Sequence, residues 1–347
     1  MKKNVIVEKY ISKPSLMEVL SNLAETSHLV APTEVYGEIV FQEVASIKKI
    51  VLDYENCLNA PKDYMLLNDE VFFDYNMKTM KLKKNSKVSQ NVVLFGVRGC
   101  DMRAIGLLDK FFFRDFKDPL YFEKRENLLI ITVMCEMPGK NCFCTSTHSG
   151  PYLNDRFDIQ LIGIGHGYFL EAGSKKGMDF VEKFAHFMSA PGSDHKSKKK
   201  EAINKVSNSE PIKFDLEKVR VNLEKSNDRD ELWKDIAQRC QSCGGCLLIC
   251  PTCSCFYVTD RRIGSDKGTR LRSLDACYYE GLTRMSGGYN PVLSREMMMK
   301  RKFYHKLFQQ LDEFGESGCT GCGRCNDICP GNVNWLNVIK RIEEELA

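Results

Sequence analysis

Two stretches of the chain are apolar at consecutive positions, residues 91–97 (Asn-Val-Val-Leu-Phe-Gly-Val) and 128–134 (Leu-Leu-Ile-Ile-Thr-Val-Met). Their length and β-branched content predict strands buried on both faces, as in a sheet covered by helices. The first runs into Arg98-Gly99-Cys100-Asp101, and a helical pattern follows from Met102 with Asp101 as its N-cap. The second ends at Cys135. Upstream, residues 15–24 form an amphipathic helix pattern capped by Ser12 or Ser15. Short segments rich in Val, Ile, Phe and Tyr at 28–31, 37–43, 48–53 and 64–75 predict strands. Residues 157–170 predict a strand pair around Gly163 to Gly167, and 177–188 a short helix with Phe180, Phe184 and Phe187 on one face.

The second half has a different rhythm. Residues 215–225 and 228–238 predict two helices, 272–281 a helical stretch, and 294–314 a long helix closed by Gly315. Residues 333–346 place Trp335, Val338, Ile339, Ile342 and Leu346 on one helical stripe. Strand signals are sparse here. Between the halves, residues 189–212 are polar, small and basic. Lys196, Lys198, Lys199 and Lys200 read there as a solvated linker ahead of an anion patch or docking strip. The expected architecture is α+β. An N-terminal α/β-type domain (1–187) leads through a linker (188–212) to an all-helical ferredoxin domain (213–347).

A chain of 347 residues with 43% hydrophobic content supports more than one packed core. Its net charge of +4, from 50 basic and 46 acidic residues, gives no reason to expect nucleic acid or an anionic membrane as partner. The basic start, Met1-Lys2-Lys3, is followed by charges rather than a signal-peptide core, and no apolar run is long enough to span a bilayer. The expectation is a cytoplasmic protein whose sixteen cysteines stay reduced.

Those cysteines carry the chemistry. Cys240-Gln-Ser-Cys243-Gly-Gly-Cys246-Leu-Leu-Ile-Cys250-Pro recurs as Cys319-Thr-Gly-Cys322-Gly-Arg-Cys325-Asn-Asp-Ile-Cys329-Pro. Both read C-x2-C-x2-C-x3-C-P, the run that holds [4Fe–4S] clusters in two-cluster ferredoxins. Two-residue gaps wrap three thiolates around one cube, while the fourth cysteine leaves in another direction and serves the other cube. The expected sets are Cys240, Cys243, Cys246 and Cys329 for one cluster, and Cys319, Cys322, Cys325 and Cys250 for the other. A four-cysteine zinc site instead offers two C-x2-C pairs separated by a longer loop.

A third constellation lies upstream. Cys135, Cys142 and Cys144 fall within ten residues after one buried strand, and Cys100 follows the other. If the strands are neighbours, all four meet at one sheet edge and imply another [4Fe–4S] cluster or a zinc site. The alternative is that Cys100 and Cys135 are small apolar residues at strand ends. His148 is an optional substitute ligand, Cys57 reads as a packed thiol, and Cys253, Cys255 and Cys277 as non-ligands. Arg239, Arg324 and Lys340 are candidates to tune cluster potentials or dock a partner, with solvated surface charge as the default reading. No dinucleotide loop, phosphate-binding lysine loop or catalytic triad is present, and Gly163-Ile-Gly165-His-Gly167 breaks the dinucleotide spacing, so no catalytic residue is assigned.

Taken together, Gly-Val-Arg-Gly-Cys-Asp101, Cys135 with Asn141-Cys-Phe-Cys144, and Cys-Pro-Thr-Cys-Ser-Cys255 between the ferredoxin runs resemble the A subunit of anaerobic sulfite reductases. They equally resemble the β subunit of the sulfhydrogenases, from about Leu29 to Leu346. Gly99 stands where that family often has proline, and Thr147-His148 where it often reads Met-Gly. The resemblance implies an electron-transfer subunit of a cytoplasmic anaerobic complex. A flavoprotein subunit would take electrons from NAD(P)H, and a sirohaem sulfite reductase subunit would receive them. A nickel–iron hydrogenase subunit is the alternative acceptor. Rival readings are a cluster-stabilised sensor or binding module, and a stand-alone enzyme.

Overall fold

The computed structural model describes residues 6–84 and 91–346; the basic start at Met1-Lys2-Lys3 lies outside them. The consecutive apolar runs form the middle of a seven-stranded mixed sheet. Its strands are β1 (Val7–Ser12), β2 (His28–Val35), β3 (Glu38–Glu43), β6 (Val92–Val97), β7 (Leu128–Val133), β8 (Ile159–Gly163) and β9 (Gly167–Ala172). Their order is β1-β9-β8-β7-β6-β2-β3, with β2, β6, β7 and β8 parallel and the outer strands antiparallel.

Successive side chains along a strand point to opposite faces, so a strand apolar at every position serves two cores. Val93, Phe95, Ile131 and Val133 pack with the helix Lys13–Thr26, which buries Leu16, Val19, Leu20 and Leu23. Leu94, Val97, Leu128 and Ile130 pack with the helix Gly99–Phe113 on the other side. Ser12 caps the first helix by accepting from the Ser15 N–H. Asp101 is not the cap of the second. That helix begins at Gly99 with Arg98 at its N-cap, and Asp101 sits fully buried inside the first turn.

The second half is not all-helical, which corrects the expected fold class. Phe256–Arg262 (β10) and Lys267–Leu274 (β11) form a hairpin. Together with Glu70–Asn76 (β4) and Lys81–Lys84 (β5) it makes a four-stranded antiparallel sheet of order β10-β11-β4-β5. A local signal for the hairpin exists. Phe-Tyr-Val-Thr precedes a Gly-containing four-residue loop in which Gly264 takes φ +87°, followed by Thr-Arg-Leu-Arg-Ser-Leu. The helix expected from Arg272 is therefore strand as far as Leu274 and then a short helix, Glu280–Thr283. Strand β4 starts at Glu70, later than expected. Residues 48–53 contain the 3₁₀ turn Ile47–Lys49 and an isolated bridge from Ile50 to Thr33 instead of a strand.

The polar segment ahead of the ferredoxin runs contains the helix Ser193–Asn208. It lies against the sheet through Val206, the stacking of His195 on Tyr10 (4.1 Å between ring centroids), and an ion pair from Lys199 to the buried Glu171. The long pattern closed by Gly315 is a helix from Arg295, capped by Ser294. It widens into a π-turn at His305–Gln309 and ends at Gly315 with φ +69°. A π-turn is rare and often marks a functional position. The final helix, Trp335–Leu346, buries Trp335, Val338, Ile339 and Ile342, as its stripe predicts. Among the described residues no helix is long and apolar enough to cross a membrane.

Candidate metal centres

In both ferredoxin runs the backbone turns through a left-handed glycine into a single helical turn, Gly245–Leu248 in the first and Arg324–Asp327 in the second. The turns direct the cysteines into two cavities. Cys240, Cys243, Cys246 and Cys329 line the first, with Tyr278, Met299, Ile328 and Val333. Cys319, Cys322, Cys325 and Cys250 line the second, with Lys302, Lys306, Phe143 and Trp335. The fourth cysteine of each run thus faces the cavity of the other.

The parallel pairing of β6 with β7 brings the ends of those strands together, and with them the residues that follow. Cys100, Cys135, Cys142 and Cys144 line a third cavity, beside Arg98, Glu55 and Glu210. His148 does not line it, and neither do Cys57, Cys253, Cys255 or Cys277 line any of the three.

The cavities form a row. Cys246 lines the first and second, and Gly321 lines the second and third. At Gly321 (φ +63°) a Cβ would sit 2.5 Å from the Phe143 carbonyl, and at Gly323 (φ +80°) 2.8 Å from the Asn141 oxygen. Only glycine permits both the left-handed turn and this approach. The Phe143 N–H donates to the Gly321 carbonyl at 2.9 Å, which fastens the upstream cysteine loop to the second ferredoxin run.

Burial dominates the electrostatics. It pushes the Cys142 and Cys325 thiols up to about 12 and raises those of Cys100, Cys135, Cys144, Cys246, Cys319 and Cys322. A neutral thiol is a poor ligand, so metal binding here must displace protons. Cys250 is the exception: a hydrogen bond from Cys253 and the nearby ammonium groups of Lys306 and Lys62 favour its thiolate. Among the described residues no three His, Cys, Asp or Glu side chains converge on a point where one ion would sit. Four thiols spaced around a cavity suit a polynuclear cluster better than a zinc ion, whose sulfurs must all lie about 2.3 Å from one centre.

Arg324 is not the solvated charge that its polarity suggests. It is 3% exposed, donates to the Cys57 carbonyl at 2.7 Å and to Asn56 Oδ1 at 2.5 Å, and forms a two-pronged ion pair with Asp101. Arg98 is equally buried, with its guanidinium 3.7 Å from the Tyr54 ring centre and a 3.1 Å hydrogen bond to the Val133 carbonyl. Glu210 takes the Thr145 N–H on both carboxylate oxygens at the edge of the third cavity. Sequence reasoning took Arg324 for a surface charge by default and missed Arg98 and Glu210 as side chains of the site, along with the buried Lys302 and Lys306. The one available signal was that Lys302 and Lys306 alternate with Met299, Phe303 and Leu307 on the apolar face of their helix.

Residues 239–333 match the family model described as a 4Fe-4S dicluster domain. Over 340 residues the chain is 29% identical to the sulfhydrogenase 2 subunit beta of Pyrococcus furiosus, covering 95% of this chain and 96% of that one. The resemblance seen in the cysteine pattern therefore extends along nearly the whole molecule.

Proposed function

We propose that the chain, an iron–sulfur electron-transfer subunit similar along almost its entire length to a sulfhydrogenase β subunit, is a pure relay within a multi-subunit redox complex. Cavity one takes a [4Fe–4S] cluster on Cys240, Cys243, Cys246 and Cys329, and cavity two another on Cys319, Cys322, Cys325 and Cys250. Cavity three takes a third on Cys100, Cys135, Cys142 and Cys144. The N-terminal unit (1–187) carries the third centre, residues 188–212 join the two units, and residues 213–347 carry the other pair.

The observation that carries this reading is the row of cavities sharing Cys246 and Gly321. A bound [4Fe–4S] group supplies one-electron chemistry. The protein's own part is to hold thiolates, exclude water and place buried cations. A wire of this kind needs a donor and an acceptor: an NAD(P)H-oxidising flavoprotein at one end and a terminal reductase subunit at the other, in the reducing cytoplasm. The named relative favours a hydrogenase-type acceptor. The Cys142-Phe-Cys144 and Cys253-Ser-Cys255 motifs, shared with sulfite reductase A subunits, keep a sirohaem acceptor as the second reading.

Protein purified without oxygen should contain about twelve irons per chain, from four per cube. Cys142→Ala should lose about four, and Cys255→Ser none. Zinc in place of iron would overturn the relay, and a full iron count in Cys142→Ala would remove the third centre. The isolated chain should not oxidise NAD(P)H. Nickel or a sirohaem spectrum in the purified complex identifies the acceptor.

A further inference from the structure

The first two cavities have the same ligand type, but their walls differ in charge. Apart from its cysteines, cavity one is lined by Gln241, Tyr278, Met299, Ile328, Val333 and residues without charge. Arg295 does reach the Cys240 carbonyl, at 3.4 Å, but from the exposed side, where water screens it. Cavity two has two lysines in its wall, Lys302 and Lys306, which are 3% and 4% exposed.

Burying an ammonium costs several kcal/mol, and two on adjacent turns also repel one another. Their protein partners do not offset this. Lys306 Nζ donates to Thr252 Oγ1 at 2.6 Å and to the Gly318 carbonyl at 3.1 Å, both neutral acceptors. Lys302 Nζ is buried and finds no oxygen acceptor. The ionisable groups facing Lys302 are the thiols of Cys325 and Cys246 and the Tyr278 hydroxyl; those facing Lys306 are Cys250, Cys253 and Cys319. Lys306 is thus held in place for an anion in cavity two, while Lys302, which also faces Cys246 and Tyr278 of cavity one, sits between the two sites. A cube ligated by four thiolates carries net negative charge and gains one more on reduction, so a fixed cation beside it favours the reduced form.

We propose that Lys306, on the side of the pair away from cavity one, raises the reduction potential of the cluster in cavity two above that of the cluster in cavity one, so that an electron entering this pair comes to rest beside it; Lys302, between the sites, favours reduction of both. The inference rests on the relay reading. The transfer is one electron from the cluster of cavity one, which is oxidised, to that of cavity two, which is reduced. The step moves one electron and no proton. Both lysines are positioning residues: they touch the ligand sulfurs' surroundings and act on the cluster potentials without bonding the metal.

The test is an EPR-monitored potentiometric titration of the iron-loaded full chain. Wild type should show a higher and a lower one-electron step, with Cys322→Ala removing the higher and Cys243→Ala the lower. Lys302→Met, which keeps the side-chain length and strands no acceptor, should weaken reduction at the higher step at least tenfold, about 59 mV for one electron. Because Lys302 also faces Cys246, the lower step should move with it. Lys306→Gln should lower the higher step and move the lower one less, and Lys302→Arg should restore the wild-type value. If both lysine variants keep full iron and leave the higher step in place, the proposal is overturned. It is likewise overturned if Lys302→Arg shifts that step as far as Lys302→Met, because the effect would then come from packing. Absence of iron from wild type would instead overturn the relay reading on which it rests.

Discussion

Arg324, next to Cys325, and Asp101, next to Cys100, lie 223 positions apart and meet in a buried ion pair with Nη1–Oδ1 at 2.5 Å and Nη2–Oδ2 at 2.8 Å. The pair joins the second ferredoxin run to the first turn of the helix that follows β6, and so links the walls of two cavities. Asp101 has no exposure at all; burial works against the Arg324 charge, and the Asp101 carboxylate holds it.

Removing one partner of such a pair leaves an uncompensated buried charge. Arg324→Met should therefore lower stability by roughly 3–5 kcal/mol, measured by anaerobic denaturant unfolding. The double variant Arg324→Met/Asp101→Leu should lose less than Arg324→Met alone, since no charge is then stranded. Equal losses would mean that packing of the guanidinium, not its charge, matters here.

Arg272 makes the corresponding link for the second sheet. It is 1% exposed on β11 and pairs with Glu70 of β4 and with Asp118, each at 2.5 Å. Arg272→Met leaves the mostly buried Glu70 with Lys124 as its remaining cation, so the cost should stay below the roughly 3–5 kcal/mol of a wholly stranded buried charge. Hydrogen exchange should localise the loss, with protection falling at residues 70–76 and in the hairpin before it falls in the seven-stranded sheet.

His305, inside the π-turn, has its pKa pushed down to about 4 by burial and by the neighbouring Lys306 and Arg301. Its unfolded form takes a proton near 6.5, while the native form resists until about 4. The contribution of His305 to stability is therefore present above pH 6.5 and is lost as pH falls towards 4. His305→Gln should flatten the decline in unfolding free energy across that window. An unchanged slope would assign the acid sensitivity to other groups.

How far the sequence alone reaches follows from the range of each interaction. Cysteine spacing and the buried runs of β6 and β7 are local: a two-residue gap limits where three thiols can point, and a strand apolar at every position needs cover on both faces. From these alone one reads two cubane-type runs, two central strands and a third group of cysteines at their ends. The hairpin β10–β11 has its own signal in the Gly264 loop, but its partner β4 lies almost two hundred residues earlier, and pairing at that distance leaves no periodicity to read. Charge is the least legible of all. A lysine or arginine has the same polarity whether water or a thiolate faces it, so Arg272, Lys302, Lys306 and Arg324 read as surface until the fold encloses them. The cysteine spacing determined which thiols fall in cluster-binding runs. The tertiary structure decided how the three sites line up and which buried cations face each of them, because only packing sets the distance between groups far apart in the chain.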